Sequence, residues 1–166
     1  MRPDPLGTSL LFDVFALNQA VGRLLAAAMR EAPLTPAEYA VSSAIFELEA
    51  ATPTALARRL GMRLTTFMDQ LRIVVERGHA RRVANPDDGR SYRVVLTAAG
   101  LAAHRAANLA FESAYAAFAR ELAVPEDDAQ AAIQAVRAAA DRARAELEAG
   151  EEPAPVSPRR RGGRGG

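Results

Sequence analysis

The 166-residue sequence contains no cysteine, no tryptophan and no lysine, and aromatic residues make up only 5% of it. The absence of cysteine excludes disulfide bonds, thiolate metal sites and thiol-based redox sensing. The two histidines, His79 and His104, are isolated, so we expect neither a metal site nor a cofactor. All 21 basic residues are arginine, a bias to which we attach little functional weight.

The sequence also lacks the usual features of a secreted, membrane-bound or catalytic protein. Its N-terminus shows no secretory signal, and no apolar run approaches the roughly 18 residues that span a bilayer. Asp87 and Asp88 are adjacent in a turn instead of facing each other across a cleft, and no Gly-rich phosphate loop follows a strand. We therefore expect a soluble cytoplasmic protein with no membrane partner, no catalytic residues and no enzymatic activity.

The net charge of +1 hides an uneven distribution along the chain. Residues 52–97 hold nine arginines against four acidic residues, and residues 150–166 hold four against two. Acidic residues predominate elsewhere, with six against three arginines in 1–51 and eight against five in 98–149. This asymmetry is expected of a nucleic-acid-binding module between acidic elements, although solvated charge without a partner is the alternative.

Positive charge is densest around a predicted β-hairpin. Two runs able to form strands, residues 79–84 and 91–97, flank the turn-favouring sequence Asn-Pro-Asp-Asp-Gly at 85–89. Guanidinium groups on a projecting hairpin suit a phosphate backbone or a narrow minor groove. The arms of this hairpin carry Arg81, Arg82, Arg90 and Arg93.

Helical patterns precede and follow the hairpin, which predicts a mainly α chain with a small β part. Thr35 and Glu38 are placed to form a capping box around Pro36. Gly61 and Gly78 are placed to end helices. We predict helices over about 8–30, 36–50, 54–60, 65–77 and 98–123, and from Pro125 onward. The order of helix, tight turn, helix and basic hairpin is that of a winged helix-turn-helix.

The two ends of the chain are predicted to form a helical dimerisation region. Apolar residues from Leu10 to Ala28 alternate in steps of four and three, and a second apolar stripe lies beside them. A similar seam runs from Ala129 to Leu147. In so small a chain the expected cover is a second copy of the protein. The predicted regions are an N-terminal dimerisation helix (1–33), a winged helix-turn-helix lobe (34–97), C-terminal dimerisation helices (98–149) and a disordered basic tail (150–166).

Four short motifs occur in order around the hairpin. They are Leu-Ala-Arg-Arg-Leu-Gly at 56–61, Glu-Arg-Gly at 76–78, Asn-Pro-Asp-Asp-Gly-Arg at 85–90 and Leu-Thr-Ala-Ala-Gly at 96–100. Together they resemble the multiple-antibiotic-resistance regulator (MarR) family of bacterial winged-helix transcription factors. The resemblance implies a sequence-specific regulator, a repressor, that binds double-stranded DNA as a C2 homodimer. Its two major-groove helices would lie roughly 34–36 Å apart on a pseudo-palindromic operator.

The resemblance also implies roles for individual side chains. Arg90 becomes the arginine at the wing tip and Asp88 the acid that buttresses it, because a nearby carboxylate can hold a guanidinium in one orientation. The alternative is that Asp88 only makes the turn and that Arg90 is solvated. The candidate DNA-binding residues are Arg63, Leu64, Thr65, Thr66, Asp69, Gln70 and Arg72 in the major-groove helix, with Arg81, Arg82, Asp88, Arg90 and Arg93 in the wing.

The major-groove helix departs from the family pattern. Arg63 stands where a Ser or Thr cap is usual, Leu64 where a polar or basic residue often reads a base, and Asp69 where an arginine is common. An acid there is costly near phosphate unless it accepts from a cytosine amine or pairs with Arg72 or Arg63. Two alternatives to sequence-specific regulation therefore stay open: a winged-helix dimer that docks a protein through this helix, and an architectural DNA binder without base readout.

His104 and Asn108 lie one turn apart on the apolar stripe of the helix that follows the wing. The resemblance implies that they could line a pocket for a small aromatic or anionic effector. The alternative is that both make structural hydrogen bonds, as buried polar groups usually do.

Overall fold

The computed structural model describes residues 9–150, which form six helices and one two-stranded antiparallel sheet. The mainly α fold with a small hairpin is therefore confirmed. The elements in chain order are α1 (Leu10–Ala28), α2 (Pro36–Leu48), α3 (Pro53–Leu60), α4 (Leu64–Glu76), β1 (Ala80–Ala84), β2 (Tyr92–Leu96), α5 (Ala98–Glu121) and α6 (Glu126–Gly150). The predicted tail, 150–166, lies outside the described residues except for its first residue.

Two compact units divide the chain, Met1–Arg120 and Glu121–Gly166. The first contains every buried residue of the described chain. The second contains α6, which begins with Glu126, Asp127 and Asp128 where the helix dipole favours negative charge. No residue of α6 is buried.

Local signals determine where α2 begins but not where it ends. The hydroxyl of Thr35 accepts from the backbone N–H of Glu38 at 3.3 Å, and the Glu38 carboxylate accepts from the backbone N–H of Thr35 at 2.8 Å, which is the predicted capping box. The helix ends at Leu48, two residues earlier than predicted, because Glu49 and Ala50 both adopt positive φ angles, 41° and 51°. Neither residue is glycine, so nothing in the sequence indicates this turn.

One apolar core joins α2, α3, α4 and the hairpin. Gly61 links α3 to α4 in the left-handed conformation, with φ 66°, and its N–H bonds to carbonyls of α3. The fully buried side chains of this core include Val41, Ile45, Leu56, Phe67, Leu71, Val74 and Val94. A smaller cluster of Met29, Leu34, Tyr39 and Ala107 joins the end of α1 to α2 and α5.

The hairpin is anchored to this core on one side. β1 and β2 pair in the register Ala80 opposite Leu96 and Ala84 opposite Tyr92. On its other edge β2 receives an isolated bridge from the segment after α2, in which the N–H of Val94 donates to the carbonyl of Ala51 at 2.9 Å. The hairpin is therefore held by α2 as well as by α4.

Helix α1 lies largely outside the core. None of its residues is buried, and it is apolar enough, with a hydropathy of 1.4 over 19 residues, to cross a membrane by length and composition alone. This corrects the expectation that no apolar run reaches such a length. Asp13, Asn18, Gln19 and Arg23 interrupt the run, but leucine, phenylalanine, valine and alanine keep its mean hydropathy high. A single helix of this kind near an N-terminus is weak support for a membrane span.

Candidate nucleic-acid interface

The rotation of α4 about its axis is set by three fully buried side chains, Phe67, Leu71 and Val74. At about 100° per residue, the side chains opposite to these recur at steps of four and three. All of them are exposed. We call this set the outward face of α4: Thr65, Asp69, Arg72 and Glu76.

The outward face is acidic overall, because Asp69 and Glu76 outnumber Arg72. Arg72 donates to the Glu76 carboxylate at 3.2 Å, one turn along the helix. Asp69 makes no hydrogen bond or ion pair within residues 9–150. Of the two pairings considered for Asp69, neither the one with Arg72 nor the one with Arg63 is present in the described part of the chain.

Beside the outward face, α4 presents apolar as well as polar groups. Leu64 is 45% exposed and Ile73 36% exposed. Thr66 is exposed, whereas Gln70 is only half-exposed. Arg63 occupies the N-cap position without making a side-chain cap bond, so its guanidinium is available to a ligand. The helix therefore offers hydroxyls, one amide, one guanidinium and two aliphatic groups around a central carboxylate.

The strands of the hairpin expose Arg81 and Arg82. Arg82 extends over the ring of Tyr92 on the neighbouring strand, with its guanidinium carbon 4.8 Å from the ring centroid. Such a cation–π contact restricts the arginine without neutralising it. Arg81 lies opposite Val95 in the strand register. Both side chains are exposed and keep their charge available to an anionic partner.

The turn of the hairpin is organised around Asn85 and Arg93. The Asn85 amide donates to the Ser91 hydroxyl at 2.7 Å, and its oxygen accepts from Arg93 Nε at 2.9 Å. Arg93 also pairs with the carboxylate of Asp87. Arg93, predicted as a DNA contact, is thus partly neutralised inside the wing by Asp87, and Asn85 holds its guanidinium in place.

Asp88 does not touch the guanidinium of Arg90 in the way that the resemblance implied. Its carboxylate instead accepts from the backbone N–H of Arg90 at 3.0 Å, which is the bond of a local turn. Arg90 is exposed and its side chain makes no hydrogen bond or ion pair within residues 9–150. The geometry of this structure matches the alternative in which Asp88 makes the turn and the Arg90 side chain is solvated.

One arginine outside the predicted DNA-binding set is, like Arg90, exposed and without a side-chain partner in the described chain. Arg58 is exposed near the end of α3, three residues before the turn into α4, and its side chain makes no bond in the described chain. Its neighbour Arg59 pairs with Glu47 at 2.8 Å. The motif at 56–61 contained Arg58, but a sequence cannot show which of two adjacent arginines is paired.

The hairpin and α5 meet at a joint built by Thr97 and Gly100. The hydroxyl of Thr97 donates to the carbonyl of Gly78 at 2.7 Å and accepts from the N–H of Gly100 at 3.0 Å. A Cβ atom at Gly100 would stand 1.8 Å from the carbonyl oxygen of His79, so only glycine permits this approach. The Leu-Thr-Ala-Ala-Gly motif at 96–100 therefore brings the start of α5 into close contact with the segment that joins α4 to β1.

Solved structures of other proteins share this fold of helices and hairpin. The Streptomyces coelicolor regulator PcaV, in complex with its natural ligand, is 25% identical with a TM-score of 0.71 over 86% of this chain and 99% of its own. The MarR family transcription regulator SP03579 is 25% identical with a TM-score of 0.60 over 84% and 92%. The chain has a winged-helix fold of the MarR type.

A third structure has the same fold, that of the M. tuberculosis transcriptional regulator MosR in complex with DNA. It is 23% identical, with a TM-score of 0.74 over 82% of this chain and 99% of its own. No family model and no curated protein sequence matches the chain. The MarR-type assignment therefore depends on three-dimensional similarity, in agreement with the four motifs.

In this MarR-type lobe, α4 is tied to the start of α2 by Arg77. Its guanidinium donates to the Glu38 carboxylate at 2.6 Å and to the carbonyl of Pro33 at 2.9 Å. Burial of Glu38 by itself raises the pKa of its carboxyl, but the hydrogen bond from Arg77 and those from Thr35 outweigh burial and hold that pKa below its usual value. The charged carboxylate of Glu38 thus fixes the C-terminal end of α4.

His104 and Asn108 make structural hydrogen bonds, which is the alternative to lining an effector pocket. The imidazole of His104 is 7% exposed, stacks between Tyr39 at 5.3 Å and Phe46 at 5.0 Å, and lies 3.0 Å from the Ser43 hydroxyl. Burial lowers the pKa of His104, which favours the neutral ring. Asn108 accepts from the Tyr39 hydroxyl at 2.6 Å.

A groove of about 320 Å³ adjoins these bonds in the MarR-type fold. His104 and Asn108 do not line it, but their partners Tyr39 and Ser43 do. The ion pair between Arg59 and Glu47 also belongs to its wall. The predicted effector residues therefore support the wall of a groove instead of forming its surface.

Proposed function

We propose that the chain is a cytoplasmic transcriptional repressor that binds double-stranded DNA as a homodimer on a pseudo-palindromic operator. The observation that carries the proposal is the placement of an exposed helix and an arginine-bearing hairpin on one lobe. Arg77-Gly78-His79 alone separates α4 from β1. The relatives that share this fold are transcriptional regulators, one of them in complex with DNA, which supports the same role and argues against an enzyme.

Binding-site selection from a random duplex library tests the proposal. We expect the selected sequences to share a pseudo-palindromic motif and to stay tightly bound at physiological salt, unlike a scrambled duplex. Equal affinity for every duplex with a steep salt dependence would instead identify an architectural binder. Failure to bind any duplex would favour docking of a protein, for which Leu64 and Ile73 supply exposed apolar surface.

The homodimer is supported by apolar surface that a single chain leaves uncovered. Leu11 is 71% exposed and Phe15 61% exposed on α1, and Leu109 is 70% exposed on α5. Such large apolar groups favour a helix-to-helix interface between two copies. We place dimerisation in the predicted helical regions 1–33 and 98–149.

Two changes test the dimer. Deleting residues 1–30 removes the buried Met29 together with α1, so we expect an aggregated or unfolded product, and a well-behaved folded monomer would contradict the assignment. Phe15→Glu places a charge on a side chain exposed in the single chain, so helicity should persist while light scattering reports dissociation. Ala16→Glu adds the same charge at an exposed position of α1 that points away from Phe15, and this variant should stay dimeric.

We further propose that the groove lined by Tyr39 and Ser43 accepts a small effector. PcaV was solved with its natural ligand, which supports a ligand-responsive regulator. Aromatic effectors suit the groove better than anionic ones, because Arg59 is already paired with Glu47. Stabilisation against heat by phenol, an uncharged aromatic probe, and its loss in Tyr39→Ala would support the proposal, and no stabilisation by phenol would contradict it.

A further inference from the structure

We infer that Asp69 reads sequence in the major groove, by accepting a hydrogen bond from the exocyclic amine of a cytosine. This inference rests on the proposed DNA-binding function and names the base that one side chain selects. It concerns a residue where the MarR-like pattern of the chain is broken by an acid.

The orientation of Asp69 follows from the packing of α4. Phe67 and Leu71, its neighbours along the helix, are almost completely buried, at 0% and 1% exposure. Rotating α4 to hide Asp69 would expose both of these side chains, at a loss of apolar burial. Asp69 therefore lies at the middle of the outward face, four residues after Thr65 and three before Arg72.

The carboxylate of Asp69 is also free to bind. Arg72, the nearest cation along the outward face, donates to Glu76 in the opposite direction. Within the described residues no other donor reaches Asp69. A charged acceptor without a partner costs little while water solvates it, but it becomes costly when a ligand removes that water without supplying a donor.

The chemistry of the major groove then decides which base can supply the donor. A carboxylate can only accept hydrogen bonds, and the groove presents just two donors, N4 of cytosine and N6 of adenine. Adenine places the acceptor N7 beside its amine, which repels a second acceptor, whereas cytosine has no acceptor there. Guanine and thymine present O6, N7 and O4, which all oppose the carboxylate. Cytosine is therefore the favoured partner of Asp69.

Asp69 also acts against wrong sequences by repulsion. The phosphate backbone disfavours a negative charge at every site, and only a well-placed amine compensates for it. The same side chain thus adds attraction at the correct base pair and lowers affinity elsewhere. Specificity needs this difference between two affinities, and an arginine at this position would supply less of it.

The test is binding-site selection with the full chain and three variants. In Asp69→Asn the amide can donate to N7 and accept from N6 of adenine, so we expect the preference at one position of each half-site to change from C to A. In Asp69→Ala the preference at that position should disappear, with roughly 5- to 100-fold less discrimination against the other base pairs. Glu31→Gln removes the same charge at an exposed position outside α4 and the hairpin and should leave the motif unchanged.

The outcomes separate this inference from the proposed function. If the unaltered chain selects no motif, the proposed function fails. If it selects a motif that Asp69→Asn and Asp69→Ala both reproduce, the function stands and the role of Asp69 is disproved. Loss of preference in Glu31→Gln as well would also overturn it, since net charge alone would then explain the effect. Thermal unfolding checks that all variants keep the fold, as expected for exposed sites.

Discussion

The hairpin and the outward face of α4 are both exposed on the same lobe, yet they carry opposite charge. The hairpin holds four arginines against two aspartates, and the outward face holds two acids against Arg72 alone. A basic wing attracts any duplex, whereas an acidic reading surface penalises most of them. In the proposed regulator, affinity therefore comes mainly from the wing, and discrimination between sequences comes mainly from α4.

The two regions also differ in what holds them in place. The wing turn is organised by bonds among neighbours, between Asn85 and Arg93. The orientation of α4 depends on partners far along the chain, including Glu38, which lies 39 residues from Arg77. Changes in the wing turn should therefore alter binding without unfolding the protein, whereas changes around α4 should lower stability as well.

The largest expected effect comes from Gly100→Ala, which disturbs the joint shared by both regions. The added Cβ meets the His79 carbonyl at 1.8 Å, so backbone must shift, and we expect the free energy of unfolding to fall by about 3 kcal/mol. Urea unfolding measures it. Gly89→Ala is the control, because a Cβ there meets nothing within 4 Å. Equal stability of the two variants would show that the joint tolerates a side chain.

Arg77→Met should cause the next largest loss of stability, because it removes the ion pair that holds the end of α4. Glu38 is 4% exposed, so the variant leaves a buried carboxylate without its cation, and we expect a loss of about 2 kcal/mol. Denaturant unfolding at neutral pH measures the loss. The double variant with Glu38→Gln should recover part of it, and a double variant less stable than Arg77→Met would contradict the explanation.

The same pair predicts a pH dependence. Because the pKa of Glu38 is lower in the folded than in the unfolded chain, its contribution to stability is complete above about pH 4.3 and is lost as the pH falls toward the folded value. Arg77→Met raises the folded pKa, so its stability should decline less steeply over that acidic range. If the free energy of unfolding declines in parallel for the unaltered chain and for Arg77→Met, other groups cause the pH dependence.

Arg90→Ala should weaken the wing without affecting stability or dimerisation. Its guanidinium is exposed and makes no bond in the described chain, so we expect roughly tenfold weaker binding to all duplexes and a salt slope smaller by about one. Fluorescence anisotropy at several salt concentrations measures both. Arg105→Ala, which removes an exposed arginine from α5, is the control. An unchanged affinity for Arg90→Ala would exclude the wing role.

Asp87→Asn should have the smallest effect, and it should strengthen DNA binding instead of weakening it. The substitution releases Arg93 from its ion pair and adds one net positive charge to the hairpin. Affinity for specific and scrambled duplexes should rise a few-fold together, because the gain carries no sequence information. Glu31→Gln makes the same charge change at an exposed position outside the wing and should do less. A gain confined to the specific duplex would disprove the division between the two regions.

Local signals in the sequence were sufficient for the order of elements. Thr35, Pro36 and Glu38 predicted the start of α2, and the structure has the bonds that they implied. The turn residues 85–89 predicted the hairpin in the same way. The buried side chains of α4, Phe67, Leu71 and Val74, recur with the period of the helix, so periodicity in the sequence is sufficient to place them on one face.

Partners separated in sequence could not be predicted. Phe46 is 53% exposed, and its ring stacks on His104 of a helix far along the chain, a contact that no local pattern indicates. The pairing of Arg93 with Asp87, in place of a pairing between the side chains of Asp88 and Arg90, depends on how the turn folds and not on spacing. The DNA-contacting roles of these residues stay predictions.

The bridge between Ala51 and Val94 has a consequence for solubility. It occupies the middle of the outer edge of β2 with backbone from the same chain. The strand at the other edge, β1, carries Arg81 and Arg82, whose charges would meet those of a second copy of the strand. Pairing of the sheet with another sheet is therefore blocked at Val94 on one side and opposed by like charge on the other.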